Sequence, residues 1–227
     1  MTDAEVRDYF QDLYRLGSDP SASLEEKIEQ AITIGRDRLD VDYGVLSYTG
    51  SGDYEVIGST IQSGQYAAGS THDLETTWCR HVVSDDETLV ISDASDSPYS
   101  DDIARDVTGL QCYIGASIVV DGDTYGTLCF SGDEPRPSAF GPEEKQFVEL
   151  LTQWIGHEIE RERHYRALDA QNERLRLIRV PTPVSRQSPV PCDSLSTSAL
   201  ALRLKLFEPE VGLWSNTRQS SRRFEAS

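Results

Sequence analysis

Residues 110–132 read LQCYIGASIVVDGDTYGTLCFSG, two apolar runs joined by the dipeptide Asp121-Gly122. An Asp-Gly pair between alternating hydrophobic residues is a strong hairpin signal, because both turn positions need a positive φ. A two-residue turn at this point pairs Ile114 with Cys129 further along the strands. The sequence therefore predicts two long antiparallel strands whose register is set by the turn.

Alternation with a period of two sorts this hairpin into two faces. One face carries Cys112, Ile114, Ala116, Ile118, Tyr125 and Cys129, and the other carries Tyr113, Gly115, Ser117, Val119, Gly126, Leu128 and Phe130. Both faces are apolar enough to be covered. One face is therefore expected to pack on the core, and the other could enclose a ligand.

The hairpin and its flanking segments resemble the GAF family. The segment CYIGASIVVDGDTYGTLCF is followed by an acidic amphipathic helix, FGPEEKQFVELLTQWIGHEIERE, and an upstream segment, TTWCRHVVSDDETLVISDA, is similar to the family's middle helix and next strand. The resemblance covers roughly residues 24–162. It implies an α+β fold with a central antiparallel sheet, helices on one face, a small-molecule pocket on the other and a long C-terminal signalling helix.

Composition and periodicity divide the 227 residues into four parts. Residues 1–20 carry an apolar stripe typical of a helix, and the GAF-like region spans residues 21–162. That region opens on an S-L-E-E capping box beginning at Ser23, which starts a further helix. Residues 163–177 are predicted to be a coiled-coil-like signalling helix, and residues 178–227 a disordered or non-native tail.

Apolar residues along the last helix predict a surface for dimerisation and signalling. The residues assigned to it are Leu151, Trp154, Tyr165, Leu168 and Leu175. The first two also belong to the stripe that faces the core, whereas the others recur together with Asn172 at alternating spacings of three and four, as in a coiled-coil seam. The expected partners are a second copy of the chain and, as the resemblance implies, a kinase or response regulator.

The chain is acidic and poor in lysine. Its 39 acidic residues outnumber 21 basic ones, for a net charge of −18, and only three residues are lysine. This balance is typical of the cytosol of a salt-loving organism, because dense carboxylates keep a surface hydrated when salt screens charge; an acidic face for a basic partner is the alternative. The acidic part of the chain has no cluster of basic residues for nucleic acid, so no nucleic-acid partner is expected. The sequence shows no signal peptide and no long apolar run, so a cytoplasmic protein without membrane contact is expected.

The balance of charge reverses near Arg174. From that residue to the C-terminus, nine basic residues stand against four acidic ones. A basic arm for nucleic acid or an acidic partner is one interpretation. The other rests on the resemblance to GAF-containing sensor histidine kinases of salt-loving archaea, in which the outgoing helix runs into a phosphoacceptor motif. Codons chosen for residues 178–190 yield fragments of that motif in a shifted frame, which favours a truncated kinase with a frame-shifted tail.

Cysteines and aromatic residues form the candidate ligand site. The residues proposed for it are Trp78, Cys79, His81, Tyr99, Cys112, Tyr113 and Cys129. The large aromatic residues could stack a planar ligand, although filling the core is their commoner role. No base in the hairpin neutralises a phosphate, which disfavours a cyclic nucleotide, and a covalent bilin would need an exposed cysteine such as Cys79. The ligand is therefore expected to be a small molecule of unknown identity.

The same cysteines define the chemical alternatives. Cys112 and Cys129 are predicted as diagonal neighbours on one face, about 7 Å apart, which is long for an unstrained disulfide. No metal is expected, because no C-x-x-C pair exists and the spacing of Cys79 and His81 does not suit two ligands on one helix. No catalytic residue is assigned. Two alternatives to a sensor remain. One is a GAF-type methionine sulfoxide reductase, although the motifs of that class do not match this spacing of cysteines, and the other is a dimerisation module that binds no ligand.

Overall fold

A six-stranded antiparallel sheet lies at the centre of the computed structural model, which describes residues 11, 13–50 and 52–178. The strands are β1 (Tyr43–Tyr48), β2 (Asp53–Ser59), β3 (Thr71–Asp73), β4 (Leu89–Ile91), β5 (Cys112–Val120) and β6 (Asp123–Gly132). Their order in the sheet is β3-β2-β1-β6-β5-β4. Pairing of β1 with β6 joins the β1–β2 hairpin to the predicted β5–β6 hairpin in one sheet, and the α+β fold class is confirmed.

The helices are α1 (Leu24–Leu39), α2 (Cys79–Asp85), α3 (Ile103–Thr108) and α4 (Pro142–Ile178), and residues 13–18 are also helical. At the predicted capping box, the Ser23 hydroxyl accepts from the Glu26 amide and the Glu26 carboxylate accepts from the Ser23 amide. The first ten residues of the predicted N-terminal helix, and the tail from residue 179, lie outside the described residues. In the part that is described, no helix combines the length and apolarity needed to cross a membrane.

The sheet separates two hydrophobic cores. The long helices α1 and α4 pack on one face, over completely buried residues that include Leu46, Ile114, Leu128, Phe130 and Leu151. The opposite face carries a second cluster, which includes Tyr54, Val56, Trp78, Val82 and Tyr113. The short helices α2 and α3 and their connecting loops cover this second face. The long helices therefore share one face, as predicted, and the short ones enclose the other.

The β5–β6 hairpin has the predicted turn and an unpredicted β-bulge. Asp121 and Gly122 both have positive φ, at 55° and 88°. Beyond the turn the register shifts, so that Ile118 pairs with Gly126 and Tyr125 is left without a partner on β5. One unpaired residue on a single strand is the definition of a bulge, and it moves every later residue of β6 to the other face.

Because of the bulge, the two faces of the hairpin differ from those predicted. Ile114 pairs with Phe130 rather than Cys129, and both of these side chains lie in the core under α1 and α4. Cys129 lies instead in the second cluster with Tyr113. Cys112 alternates with Tyr113 along β5 and therefore belongs to the opposite face. The prediction that Cys112 and Cys129 are diagonal neighbours on one face is wrong.

Candidate functional site

A cavity of about 230 Å³ lies against the second face of the sheet. Its lining comes from β1, β2, β5 and β6 and from three covering segments, namely the loop after β2, the start of α2 and the end of α3. The lining is rich in aromatic side chains, including Tyr43, Tyr54, Tyr66, Trp78 and Tyr113. Among the described residues that line it, none is Lys, Arg or His. The cavity therefore has no cation to offer an anionic ligand.

Four of the seven residues proposed for the ligand site line this cavity. They are Trp78, Cys79, Tyr113 and Cys129. The rings of Trp78 and Tyr113 lie 6.3 Å apart between centroids and are tilted by 41°. The bulge brings Cys129 to this site, because in the predicted register its side chain would face α1 and α4.

The other three proposed residues lie outside the cavity lining. His81 follows Cys79 by two residues, about 200° around α2, and its Nε2 is 2.8 Å from Oδ2 of Asp102. The ring of Tyr99 packs on His81 with centroids 4.9 Å apart. The Cys112 thiol belongs to the opposite face of the sheet, and burial raises its pKa. His81 and Tyr99 therefore pack on each other outside the cavity, and Cys112 lies on the other face of the sheet.

Asp102 connects the two short helices that enclose the cavity. Its Oδ2 accepts from Arg80 and lies beside His81, both on α2, while its Oδ1 accepts from the Ala104 amide and caps α3. Burial opposes ionisation of Asp102, but the hydrogen bonds from His81, Ala104 and Arg80 outweigh it and lower the pKa of the carboxyl. The ionised carboxylate thus holds α3, whose last residue Thr108 lines the cavity, against α2.

Two thiols and two phenols meet at the cavity wall. The Cys79 Sγ lies 3.2 Å from the Tyr113 Oη, and the Cys129 Sγ lies 3.9 Å from the Tyr54 Oη. All four side chains are at most 6% exposed. Burial raises the pKa of both phenols well above the ordinary value, so each keeps its proton and can donate it to a sulfur.

The two thiols differ in acidity. Burial raises the pKa of Cys79, but hydrogen bonds from Cys129, Thr127, Tyr113 and Tyr54 more than offset it and bring that pKa to about 7. The hydrogen bond to Cys79, together with burial, holds the pKa of Cys129 well above its usual range. Near neutral pH, Cys79 therefore titrates while Cys129 keeps its proton.

Two polar atoms of lining residues have no hydrogen-bond partner in the described structure. They are Nε1 of Trp78 and Oη of Tyr66. Trp78 is only 1% exposed, so its indole N–H does not donate to bulk water. A buried donor left unpaired costs about 1–3 kcal/mol. An acceptor atom inside the cavity would remove this cost.

Sequence reasoning missed the part of the lining that comes from the first hairpin and the loop after it. Tyr54 and Val56 are two residues apart on β2 and both apolar, a pattern that predicts that they share a buried face. The pattern does not predict which face of the sheet this is. Tyr43 on β1 and Tyr66 in the loop have no comparable signal. They join the site only because β1 pairs with β6, a contact between segments some 80 residues apart. Across the described chain, no three His, Cys, Asp or Glu side chains are grouped to hold a metal ion.

The family model of the GAF domain matches residues 23–159, from the capping box to the core part of α4. The chain belongs to the GAF family. This membership agrees with the central antiparallel sheet, the two long helices on one face and the enclosed cavity on the other. Comparison with curated protein sequences gives no match.

Three solved structures illustrate the shared GAF fold. The GAF domain of an Acinetobacter phosphoenolpyruvate-protein phosphotransferase is 13% identical, with 72% of this chain and 97% of that one covered and a TM-score of 0.59. The phycoerythrobilin-bound GAF domain of a cyanobacterial phytochrome is also 13% identical, with 71% and 99% covered and a TM-score of 0.60. A domain of a protein from Sinorhizobium meliloti 1021, described as a two-component sensor histidine kinase, is 18% identical, with 66% and 99% covered and a TM-score of 0.50. At these identities the likeness establishes the fold.

Proposed function

We propose that this GAF domain is a cytoplasmic sensory module that binds a small, uncharged molecule in the cavity and transmits the signal through α4. The observation that supports this function best is the pair of unpaired donors, Trp78 Nε1 and Tyr66 Oη, in an aromatic cavity. Indole and phenol donors match a ligand that offers acceptor atoms and an apolar ring or chain. No catalytic step is part of this proposal.

The volume of the cavity and the absence of a cation among the described residues that line it limit the kinds of ligand that it can hold. At about 230 Å³ the cavity is smaller than the roughly 300–1,000 Å³ of pockets for drug-sized ligands. A tetrapyrrole such as the phycoerythrobilin of the cyanobacterial GAF domain exceeds this space, and Cys79 is too buried to meet the requirement for an exposed attachment site. A phosphate lacks a cationic partner in the lining. A neutral compound of few ring atoms fits both limits.

The β5–β6 hairpin offers a physical route from the cavity to α4. Its strands supply Tyr113 and Cys129 to the lining, and its turn contacts the helix, because the Asp121 amide donates to the Glu160 carboxylate at 2.8 Å. Arg163 lies 3.3 Å from the Asp121 carboxylate in the same contact. A ligand that shifts the hairpin therefore also shifts the point at which α4 leaves the sheet, and this displacement is the proposed signal.

Replacing Trp78 with phenylalanine should weaken ligand binding. The change keeps an aromatic ring but removes the unpaired N–H, and one hydrogen bond contributes about 0.5–1.5 kcal/mol, or roughly 3–10-fold in affinity. The measurement is a thermal-shift and calorimetric screen of uncharged heteroaromatic fragments against the full chain. Trp154→Phe is the matched control, because Trp154 is on α4 beside Gly17, away from the cavity. A screen without binders, or equal affinity for both variants, would contradict the proposal.

We further propose that the chain forms a homodimer through the distal part of α4. From residue 163 to residue 176 every side chain is exposed, and Tyr165, Leu168 and Leu175 are each more than half exposed. Leu151 is completely buried in the domain's own core, and Trp154 packs against the same core, so these two residues support the helix within the domain. The exposed three follow a coiled-coil spacing that matches a second copy of α4.

Leu168→Glu should convert the dimer into a monomer. Two copies of the leucine are lost from the seam, and burial of each contributes about 1.5–3 kcal/mol, so the dissociation constant should rise by more than about 100-fold. Light scattering coupled to size-exclusion chromatography measures the change. Ala170→Glu is the control, because Ala170 lies on the opposite side of α4 from Leu168. A wild-type chain that is monomeric, or a Leu168→Glu variant that is still dimeric, would contradict the proposed dimer interface.

The origin of the chain is part of the same proposal. An origin as the GAF region of a sensor histidine kinase of a salt-loving organism accounts for the acidic, lysine-poor composition and the long outgoing helix. The similar Sinorhizobium domain supports a sensory context. The nucleotide sequence beyond the codon for Arg174, read in the shifted frames, distinguishes a frame-shifted kinase from a genuine basic tail.

A further inference from the structure

Cys79 and Cys129 are the feature of the cavity that ligand binding leaves unexplained. Cys79 is the first residue of α2 and Cys129 lies in β6, yet both line the same cavity. The Tyr113 hydroxyl lies 3.2 Å from the Cys79 sulfur, and a Cβ added at Gly115 would contact both that hydroxyl, at 2.4 Å, and the Cys129 Cβ, at 3.0 Å. The third cysteine of the described chain, Cys112, lies on the other face of the sheet. The fold thus brings together two thiols that are 50 residues apart and isolates them from the third.

We propose that Cys79 and Cys129 form an oxidisable dithiol, which a small hydroperoxide entering the cavity converts into a disulfide. Both side chains line one cavity and lie beside the Tyr113 hydroxyl, so the bond can form without bringing distant elements together. The cavity admits a molecule of few atoms to both sulfurs. Neither feature exists for Cys112, which is buried between sheet and loop without a second thiol.

The surroundings of the pair assign a separate role to each sulfur. The Tyr113 hydroxyl lies 3.2 Å from the Cys79 sulfur, and hydrogen bonding lowers the pKa of Cys79 to about 7, which favours its thiolate, the nucleophilic form of cysteine. Cys129 keeps its proton, in keeping with the raised pKa of its thiol. Cys79 is therefore the sulfur that attacks the peroxide, and Cys129 is the sulfur that resolves the product.

The oxidation balances in two steps. In the first, the Cys79 thiolate attacks one peroxide oxygen, the O–O bond breaks, and the leaving oxygen takes up a proton as water or an alcohol. Cys79 is oxidised by two electrons to the sulfenic acid, and the peroxide is reduced. In the second, the Cys129 sulfur attacks the Cys79 sulfur, an S–S bond forms, the S–O bond breaks, and the hydroxide leaves as water with the proton of Cys129.

The experiment uses the full chain with Cys192 replaced by serine, because that fourth cysteine lies outside the described residues. The folded protein is treated with hydrogen peroxide and then alkylated under denaturing conditions. Peptide mapping by mass spectrometry should show one disulfide, between Cys79 and Cys129, with Cys112 alkylated. Three serine variants follow, at Cys79, Cys129 and Cys112, and circular dichroism checks that each one folds.

The variants separate the two roles. Cys129→Ser should stop at a Cys79 sulfenic acid, which dimedone traps, and Cys79→Ser should lower the rate of oxidation at least about 10-fold because the sulfur that attacks the peroxide is absent. Cys112→Ser should behave like the parent. A disulfide that includes Cys112, a folded parent that stays fully reduced, or equal oxidation rates for Cys79→Ser and Cys129→Ser would overturn the proposal. The fragment screen reads out independently of this result.

Discussion

Gly126→Ala should destabilise the domain by more than about 4 kcal/mol, enough to leave much of the chain unfolded at room temperature. Gly126 follows the bulged Tyr125 and pairs with Tyr48 on β1. A Cβ at this position would lie 1.8 Å from the carbonyl oxygen of Ser47 and 3.0 Å from the Cα of Tyr48. Both atoms are backbone of a central strand, which cannot move away without breaking its own ladder.

A control for this prediction lies in the same hairpin. Gly122 has a positive φ, unlike Gly126, but a Cβ there meets nothing within 4 Å. Gly122→Ala should therefore cost only the strain of a left-handed alanine, about 1–2 kcal/mol. Urea denaturation followed by circular dichroism measures both variants. A loss for Gly126→Ala that is no larger than the loss for Gly122→Ala would show that the close approach to Ser47 relaxes at little cost.

Glu158→Leu should destabilise the domain by about 3–5 kcal/mol, because it leaves a buried lysine without its counter-charge. Lys27 on α1 and Glu158 on α4 form an ion pair at 3.3 Å, and each side chain is less than a tenth exposed. Arg161 also donates to Glu158 from the partly exposed side. The pair joins the two long helices near the point where α4 leaves the sheet, so its loss should also loosen the proposed signalling helix.

The paired variant distinguishes charge from packing. Lys27→Met combined with Glu158→Leu removes both charges and keeps similar volume, and it should recover most of the stability lost by Glu158→Leu alone. Chemical denaturation at low and high potassium chloride provides the measurement. Because the pair is buried, added salt should change the difference between the variants little. A double variant as unstable as Glu158→Leu would indicate that shape, rather than the unpaired charge, causes the loss.

The two largest effects involve residues that look ordinary in the sequence. Gly126 is one of 16 glycines, and Lys27 is one of three lysines on an acidic chain. Their importance comes from atoms contributed by β1 and α4, which are remote in the sequence. The cysteines follow the same logic, since one unpaired residue in β6 decides that Cys129 meets Cys79 rather than the face of Cys112.

Local chemistry was sufficient to predict the elements of this protein. The Asp-Gly turn and the capping box at Ser23 each depend on a few neighbouring residues, and the structure contains both of them. The segments that resemble the GAF family then indicated its fold. They also pointed to Trp78 and Tyr113, because large aromatic residues next to a covered sheet face have few other places to lie.

Only the tertiary structure decided the register of β6, the pairing of β1 with β6 and the membership of the cavity. The bulge depends on how β5 and β6 fit against each other, and neither strand records the other's shape in its own residues. Face assignment with a period of two then fails for every residue beyond the bulge. The sequence by itself determined the parts and their local geometry, whereas contacts between remote segments determined which side chains share the site.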